Sequence, residues 1–119
     1  MNDRFLSFLG IAKKSGNLIF GMDEVKSKLF DGTICMVMVT SDISSNSLKK
    51  IELFMSEKLS ETDLIKLDYT KDDIDRTTSK YAAVIGVSDI NMANKIRLLV
   101  EEEKSEQKTE RNGAYNDKI

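Results

Sequence analysis

Apolar residues recur along this 119-residue chain with two alternating periods. Phe5, Phe8, Leu9 and Ala12 stand at i, i+3, i+4 and i+7, the spacing of an amphipathic helix. Lys13 and Lys14 followed by Gly16 read as its C-terminus, with cations in the last turn and glycine beyond it. Leu18, Ile19 and Phe20 leave room for a short strand only. Gly21 then opens a second helix, which carries Met22, Val25 and Leu29 on one face and ends before Gly32.

The run 34–39 is unbroken apolar sequence, as expected of a central strand buried on both faces. Ser41, Asp42, Ser44, Ser45 and Asn46 make a turn rich in N-cap residues. It leads into a third helix with Leu48, Ile51, Met55 and Leu59 inward. A third strand is predicted over 64–67, one or two helical turns around Ile74 over 71–79, and a last strand over 82–87. Asn91 is predicted to cap a final helix whose Met92, Ile96 and Leu99 face inward. From 104 to 119 the apolar period stops, and the composition predicts a disordered polar tail. Strands that alternate with helices imply one α/β domain over 1–103. The expected architecture is a three-layer α/β/α sandwich with a central four-stranded sheet and helices on both faces.

Composition narrows the chemistry. The chain has no histidine, which removes the commonest general base near neutral pH and the commonest zinc ligand. It has no CxxC, GxGxxG, P-loop or GxSxG pattern. Acids are plentiful, but nothing in the pattern singles out a pair. The expectation is a protein that is not an enzyme, with no metal, no cofactor and no small-molecule substrate. The lone Cys35 lies inside an apolar run, which excludes a disulfide framework and suits a reducing compartment. The start, Met1-Asn2-Asp3-Arg4, is not that of a signal peptide, and no apolar segment is long enough to span a bilayer. A cytoplasmic monomer with no membrane partner is the expectation.

The net charge of −2 sits in the last nineteen residues, which hold six acids and four bases, while residues 1–100 hold fourteen of each. A neutral domain gains little from bulk neutralisation of phosphates, so any nucleic-acid partner has to be read by a local, shape-sensitive site.

The stretch Leu9-Gly10-Ile11-Ala12-Lys13-Lys14-Ser15-Gly16-Asn17-Leu18-Ile19-Phe20-Gly21 carries a resemblance. It continues through Met22-Asp23-Glu24-Val25 to Gly32, Val37-Met38-Val39-Thr40-Ser41-Asp42, Ser44-Ser45-Asn46-Ser47, the strand near Ala83 and Ser88-Asp89. Over roughly residues 4–100 the chain resembles the bacterial ribosomal-protein-like (YlxQ-type) branch of the L-seven-Ae family. That resemblance implies the same sandwich, and ribosome-associated binding to kink-turn RNA, a sharply bent duplex held by sheared G·A pairs. In the family a Gly-x-Asn-Glu-x-x-Lys element opens the second helix and meets guanine edges.

Carried over by position, Gly21 and Glu24 match, Asn becomes Asp23, and Lys falls on Ser27 with Lys28 beside it. A second RNA-facing loop, before the last strand, would offer Arg76 and Lys80 as bases. Spacing by itself assigns Asp23 and Glu24 to ordinary helix-dipole stabilisation, and Arg76 and Lys80 to solvated surface. Asp for Asn loses an amide donor and adds a negative charge. Two functions therefore stand side by side: a kink-turn RNA-binding protein, and a protein-interaction module of the same fold that has lost RNA affinity.

Overall fold

Each apolar stripe finds a partner surface in the computed structural model, which describes residues 3–58 and 62–116, the side chains of 58 and 105–116 excluded. Helix α1 (Arg4–Lys14) buries Phe5, Leu9 and Ala12. Strand β1 (Leu18–Phe20) is followed directly by α2 (Met22–Phe30), which buries Val25 and Leu29. Strand β2 (Met36–Val39) leads to α3 (Ser45–Lys58), β3 (Asp63–Lys66) to α4 (Lys71–Thr78), and β4 (Val84–Val87) to α5 (Ile90–Asn116).

The sheet order is β1-β4-β2-β3. β4 is antiparallel to both β1 and β2, and β2 is parallel to β3, so three strands run one way and β4 alone runs against them. Side chains alternate across this sheet. Met36, Met38, Ile85 and Val87 pack with Phe5, Leu9, Ile74, Ala93, Ile96 and Leu99 on one face. Val37, Val39 and Val84 pack with Val25, Leu29, Ile34 and Ile51 on the other. The layers are α1/α4/α5, sheet and α2/α3. This is the expected three-layer sandwich.

β3 is an edge strand, and its two exposed residues are tied down. Asp63 pairs with Arg97 at 2.6 Å and Lys66 with Glu52 at 3.7 Å, which places charge along an edge that would otherwise invite pairing.

Several boundaries differ from the pattern. β2 begins at Met36 rather than 34, because Ile34 turns into the α2/α3 core while Cys35 keeps one ladder bond, its N–H donating to the Val87 carbonyl at 2.8 Å. The last helix is capped by Asp89, not Asn91: the Asp89 carboxylate accepts from the Met92 N–H at 2.9 Å, and α5 is already under way at Ile90. Asp and Asn are equally good caps, so the choice between them rests on where the chain leaves β4. The segment around Ile74 is a full two-turn helix closed by a Thr70–Asp73 capping box. The stretch from 104, read from composition as a polar tail, continues α5 to Asn116. Extending a formed helix adds one bond per residue without a new nucleus, and Glu, Lys, Gln and Arg favour it. Leu59, expected on the inner face of α3, lies outside the described residues.

Candidate nucleic-acid interface

The strand directions decide where the helices begin. β1, β2 and β3 point the same way and run straight on into α2, α3 and α4, so three helix N-termini sit at one end of the sheet. Each brings a partial positive charge from its unpaired amides. A domain with balanced formal charge thus acquires one end suited to anions.

Two of the three starts are closed. The Ser44 hydroxyl accepts from the Ser47 N–H at 3.1 Å, and the Thr70 hydroxyl accepts from the Asp73 N–H at 3.2 Å. The start of α2 is open, since Gly21 offers no side chain to cap it. The first helical bond runs from the Val25 N–H to the Gly21 carbonyl at 3.0 Å. The Met22, Asp23 and Glu24 amides ahead of it have no carbonyl in the helix behind them. Gly21 holds φ +101° and ψ 150°, a conformation that only glycine adopts without strain. A Cβ there would meet nothing within 4 Å, so the glycine serves the backbone and leaves the approach unobstructed.

The same end carries the loop 79–83. Gly21 donates its N–H to the Val84 carbonyl at 2.9 Å, and Thr40 donates to the Ala83 carbonyl at 2.9 Å, so the loop lies between the starts of α2 and α3. Ser79 ends α4 in the left-handed region at φ 61°. The Lys80 N–H donates to the Thr78 hydroxyl at 3.2 Å, and the Lys80 side chain is exposed. Tyr81 is 62% exposed, and the Lys71 ammonium stands 5.4 Å from its ring centroid, a cation–π contact on one side of the ring. Asp42 accepts from the Lys71 N–H at 3.0 Å and joins the turn after β2 to the start of α4.

The candidates from sequence fall into two groups. Gly21, Asp23 and Glu24 stand together at the open helix start, the two acids exposed, with Ser27 exposed one turn further along α2. Lys80 lies exposed in the loop 79–83 at the same end of the sheet. Lys28 and Arg76 lie elsewhere. Asp31 is held below the usual carboxylate range first by the Thr33 hydroxyl, which donates at 2.6 Å, and in part by the nearby Lys28 charge. Lys28 itself lies in the last turn of α2, away from Gly21. Arg76 pairs with Asp73 on α4, and the Thr77 hydroxyl bonds to the Leu6 carbonyl at 2.8 Å, which puts α4 on α1 across the sheet from α2.

Tyr81 and Lys71 were not legible as site residues, because Tyr81 reads as the approach to an apolar strand. Ile43 and Leu48 pack half-buried against the α2/α3 core. Cys35 is half-buried too. Its thiol, pushed up first by burial and then by the Asp89 charge, donates to the Val87 carbonyl at 3.3 Å. Among the described residues no group of three or more Cys, Asp or Glu could hold a metal ion, and no helix is long and apolar enough to cross a membrane.

This end of the sheet is an open surface that carries one uncapped helix start, two exposed carboxylates, and Lys80 and Tyr81 exposed in the adjoining loop. No family model matches the chain, and no curated protein sequence matches it. Solved structures do match in fold. One is a protein of unknown function from Bacillus halodurans, with a TM-score of 0.75 and 23% identity, covering 84% of this chain and 99% of that one. Another is the 15.5 kD RNA-binding protein of Giardia lamblia, with a TM-score of 0.65 and 12% identity, covering 88% of this chain and 92% of that one. At these identities the likeness is one of fold.

Proposed function

We propose that this chain is a non-catalytic RNA-binding protein that recognises kink-turn-type structured RNA with the sheet end around Gly21. The observation that carries the reading is the open start of α2, with Asp23 and Glu24 exposed on it and Lys80 and Tyr81 in the adjoining loop. The Giardia neighbour of the same fold is an RNA-binding protein, and the resemblance in residues 9–42 points the same way.

In this reading the Asp23 and Glu24 carboxylates accept from guanine N–H groups. The free amides at the helix start face a phosphate, as helix N-termini commonly do. Lys80 meets the opposite strand, while Arg76 contributes only by leaving Asp73. The protein has differential affinity for the bent RNA, so binding shifts the RNA population toward the bend. The proposed setting is cytoplasmic and ribosome-associated, with the protein acting as a monomer and needing no cofactor.

Calorimetric titration with a kink-turn RNA, and with a control lacking its sheared G·A pairs, tests this at low and near-physiological salt. Tight binding to the first alone, with a shallow salt slope, is the expected result. Weak and equal binding to both would overturn it. That outcome would favour the protein-interaction reading, which Asp23, Ser27 and the position of Lys28 in the last turn of α2 support.

A further inference from the structure

The sheet has two edges, and they are built differently. β3 carries Asp63 and Lys66, each held in an ion pair. β1, at the other edge, is Leu18-Ile19-Phe20 and has no charged side chain. Its register with β4 fixes which backbone groups are used. Ser88 donates its N–H to the Asn17 carbonyl at 3.0 Å, and Gly21 donates to the Val84 carbonyl at 2.9 Å. Positions 17, 19 and 21 are therefore the hydrogen-bonded ones of this antiparallel pair, and alternation turns the N–H and C=O of Leu18 and Phe20 outward. Among the described residues no hydrogen bond reaches those outward groups. An edge of this kind is a template for another strand.

The edge is complementary to itself. When two β1 strands pair antiparallel about a two-fold axis at Ile19, Leu18 of each copy lies opposite Phe20 of the other. Those are the positions whose groups point outward, so Leu18 and Phe20 exchange both N–H···O=C bonds. Leu18 and Phe20 pack on the α1 side of the sheet and Ile19 on the α2 side, so apolar residues meet apolar residues on each face. The helix above the edge fits the same axis. α2 packs on both β1 and β4, so two copies of it stand two strand spacings apart, ~9.6 Å, a distance usual for packed helices. Lys26 marks the α3 side of α2, with its ammonium 5.4 Å from the Phe54 ring centroid. Glu24 and Lys28, each about 200° around the helix from Lys26, lie on the opposite flank, above the open edge. Ile19 stands two strand residues before Gly21, about 6.6 Å, and position 26 stands five helical residues after it, about 7.5 Å. The axis therefore passes level with position 26, and Glu24 of one copy comes level with Lys28 of the other.

We propose that β1 is a self-pairing edge on which a second copy of this chain docks when no RNA is bound, joining two four-stranded sheets into one continuous sheet. The same surface serves both copies, so the assembly closes at two. Strand-to-strand bonds supply the contact, and the Glu24–Lys28 pairs across the axis set its register. Glu24 is also the residue that the RNA reading assigns to guanine. RNA at the start of α2 therefore releases the pair, and the RNA-bound form is the monomer. This exclusion, unlike the pairing itself, rests on the RNA reading above.

Sedimentation of the full chain without RNA, from about 10 µM to about 1 mM to suit a small interface, is expected to show a monomer–dimer equilibrium. Amide exchange over the same range locates the contact. The Leu18 and Phe20 amides should gain protection as the dimer fills, while the Ile19 amide, bonded to β4 throughout, is protected at every concentration. Lys28→Glu sets like charges across the axis twice and should weaken the dimer about tenfold, and Glu24→Lys should do the same. Glu24→Lys/Lys28→Glu restores opposite charges across the axis and should recover the dimer. A monomer at every concentration would overturn the pairing. So would a dimer in which the Leu18 and Phe20 amides exchange as fast as in the monomer, or a double variant no tighter than the single ones. Saturating kink-turn RNA is expected to leave one chain per RNA. A dimer still paired at β1 on the RNA would overturn the exclusion alone, whereas RNA that fails to bind would overturn the RNA reading and leave the pairing standing.

Discussion

The backbone N–H of Gly21 donates to the carbonyl of Val84 at 2.9 Å, and that bond locks the open start of α2 against the first residue of β4. It forms only because the chain turns from β1 into α2 through φ +101° at Gly21. The geometry of the interface thus rests on one residue without a Cβ.

Gly21→Ala is expected to lower stability by about 1–3 kcal/mol, the usual cost of holding a non-glycine residue in such a region. A Cβ there has no steric neighbour, so the loss is one of backbone strain and not of packing. Urea denaturation measures it. An unchanged midpoint would mean that the turn relaxes freely and that the helix start is not held in register.

Glu24 and Asp23 make opposite predictions for RNA affinity. Both are exposed and contribute nothing to the core, so either substitution should cost no more than the helix-dipole contribution, about 0.3–1 kcal/mol. Glu24→Ala is expected to weaken kink-turn binding by about 1–3 kcal/mol, the scale of a base-edge contact. Asp23→Asn should strengthen it, because the amide keeps an acceptor, gains a donor and removes a negative charge from beside the phosphates. Calorimetry reads both. Weaker binding by Asp23→Asn would show that the charge itself is used in recognition.

The order of elements was legible because each one repeats its own period. Phe5, Leu9 and Ala12 are all buried, and 36–39 and 84–87 are buried at every position, as unbroken apolar runs require. The order of strands was not legible. Inserting β4 between β1 and β2 is a long-range event, and it alone sets Val84 against Gly21 and sends α5 back along the sheet. The start of the last helix offered two good caps two residues apart, Asp89 and Asn91, and the structure uses Asp89. The pairing of Arg76 with Asp73 lies at i, i+3 in α4, a spacing visible in sequence that competes with any RNA role.

Asp73 ties the stability of α4 to pH. Its carboxylate accepts from the Thr70 N–H at 2.9 Å and from the Arg76 guanidinium, and it is held below the usual carboxylate range first by the Thr70 bond. A depressed folded-state value stabilises the fold above the unfolded value, about 3.9 for Asp. That contribution is lost as pH falls through the folded value. Asp73→Asn keeps an acceptor for Thr70 but loses the charge. It should be less stable than the parent at pH 7, and the two should converge toward pH 3. Urea midpoints measured from pH 7 to pH 3 check this, and parallel curves would remove Asp73 from the acid response.

Gly86 faces the α2/α3 side of β4, opposite Ile19 on one neighbouring strand and Val37 on the other. A Cβ at this position would stand 2.1 Å from the Ile34 Cδ1 and 3.5 Å from its Cγ1 and Cγ2, so the one severe overlap is with the terminal methyl of a buried side chain. Gly86→Ala is expected to cost about 1–3 kcal/mol by overpacking. Ile34→Val removes the offending methyl and should cost about 0.5–1.5 kcal/mol by itself. Combined, the two changes should cost less than their sum, because the valine vacates the space that the alanine needs; contacting residues couple by about 0.5–3 kcal/mol. A double-mutant cycle by urea denaturation measures that term. Strict additivity would mean that Ile34 swings clear without loss, and that glycine at 86 is needed for a reason other than this contact.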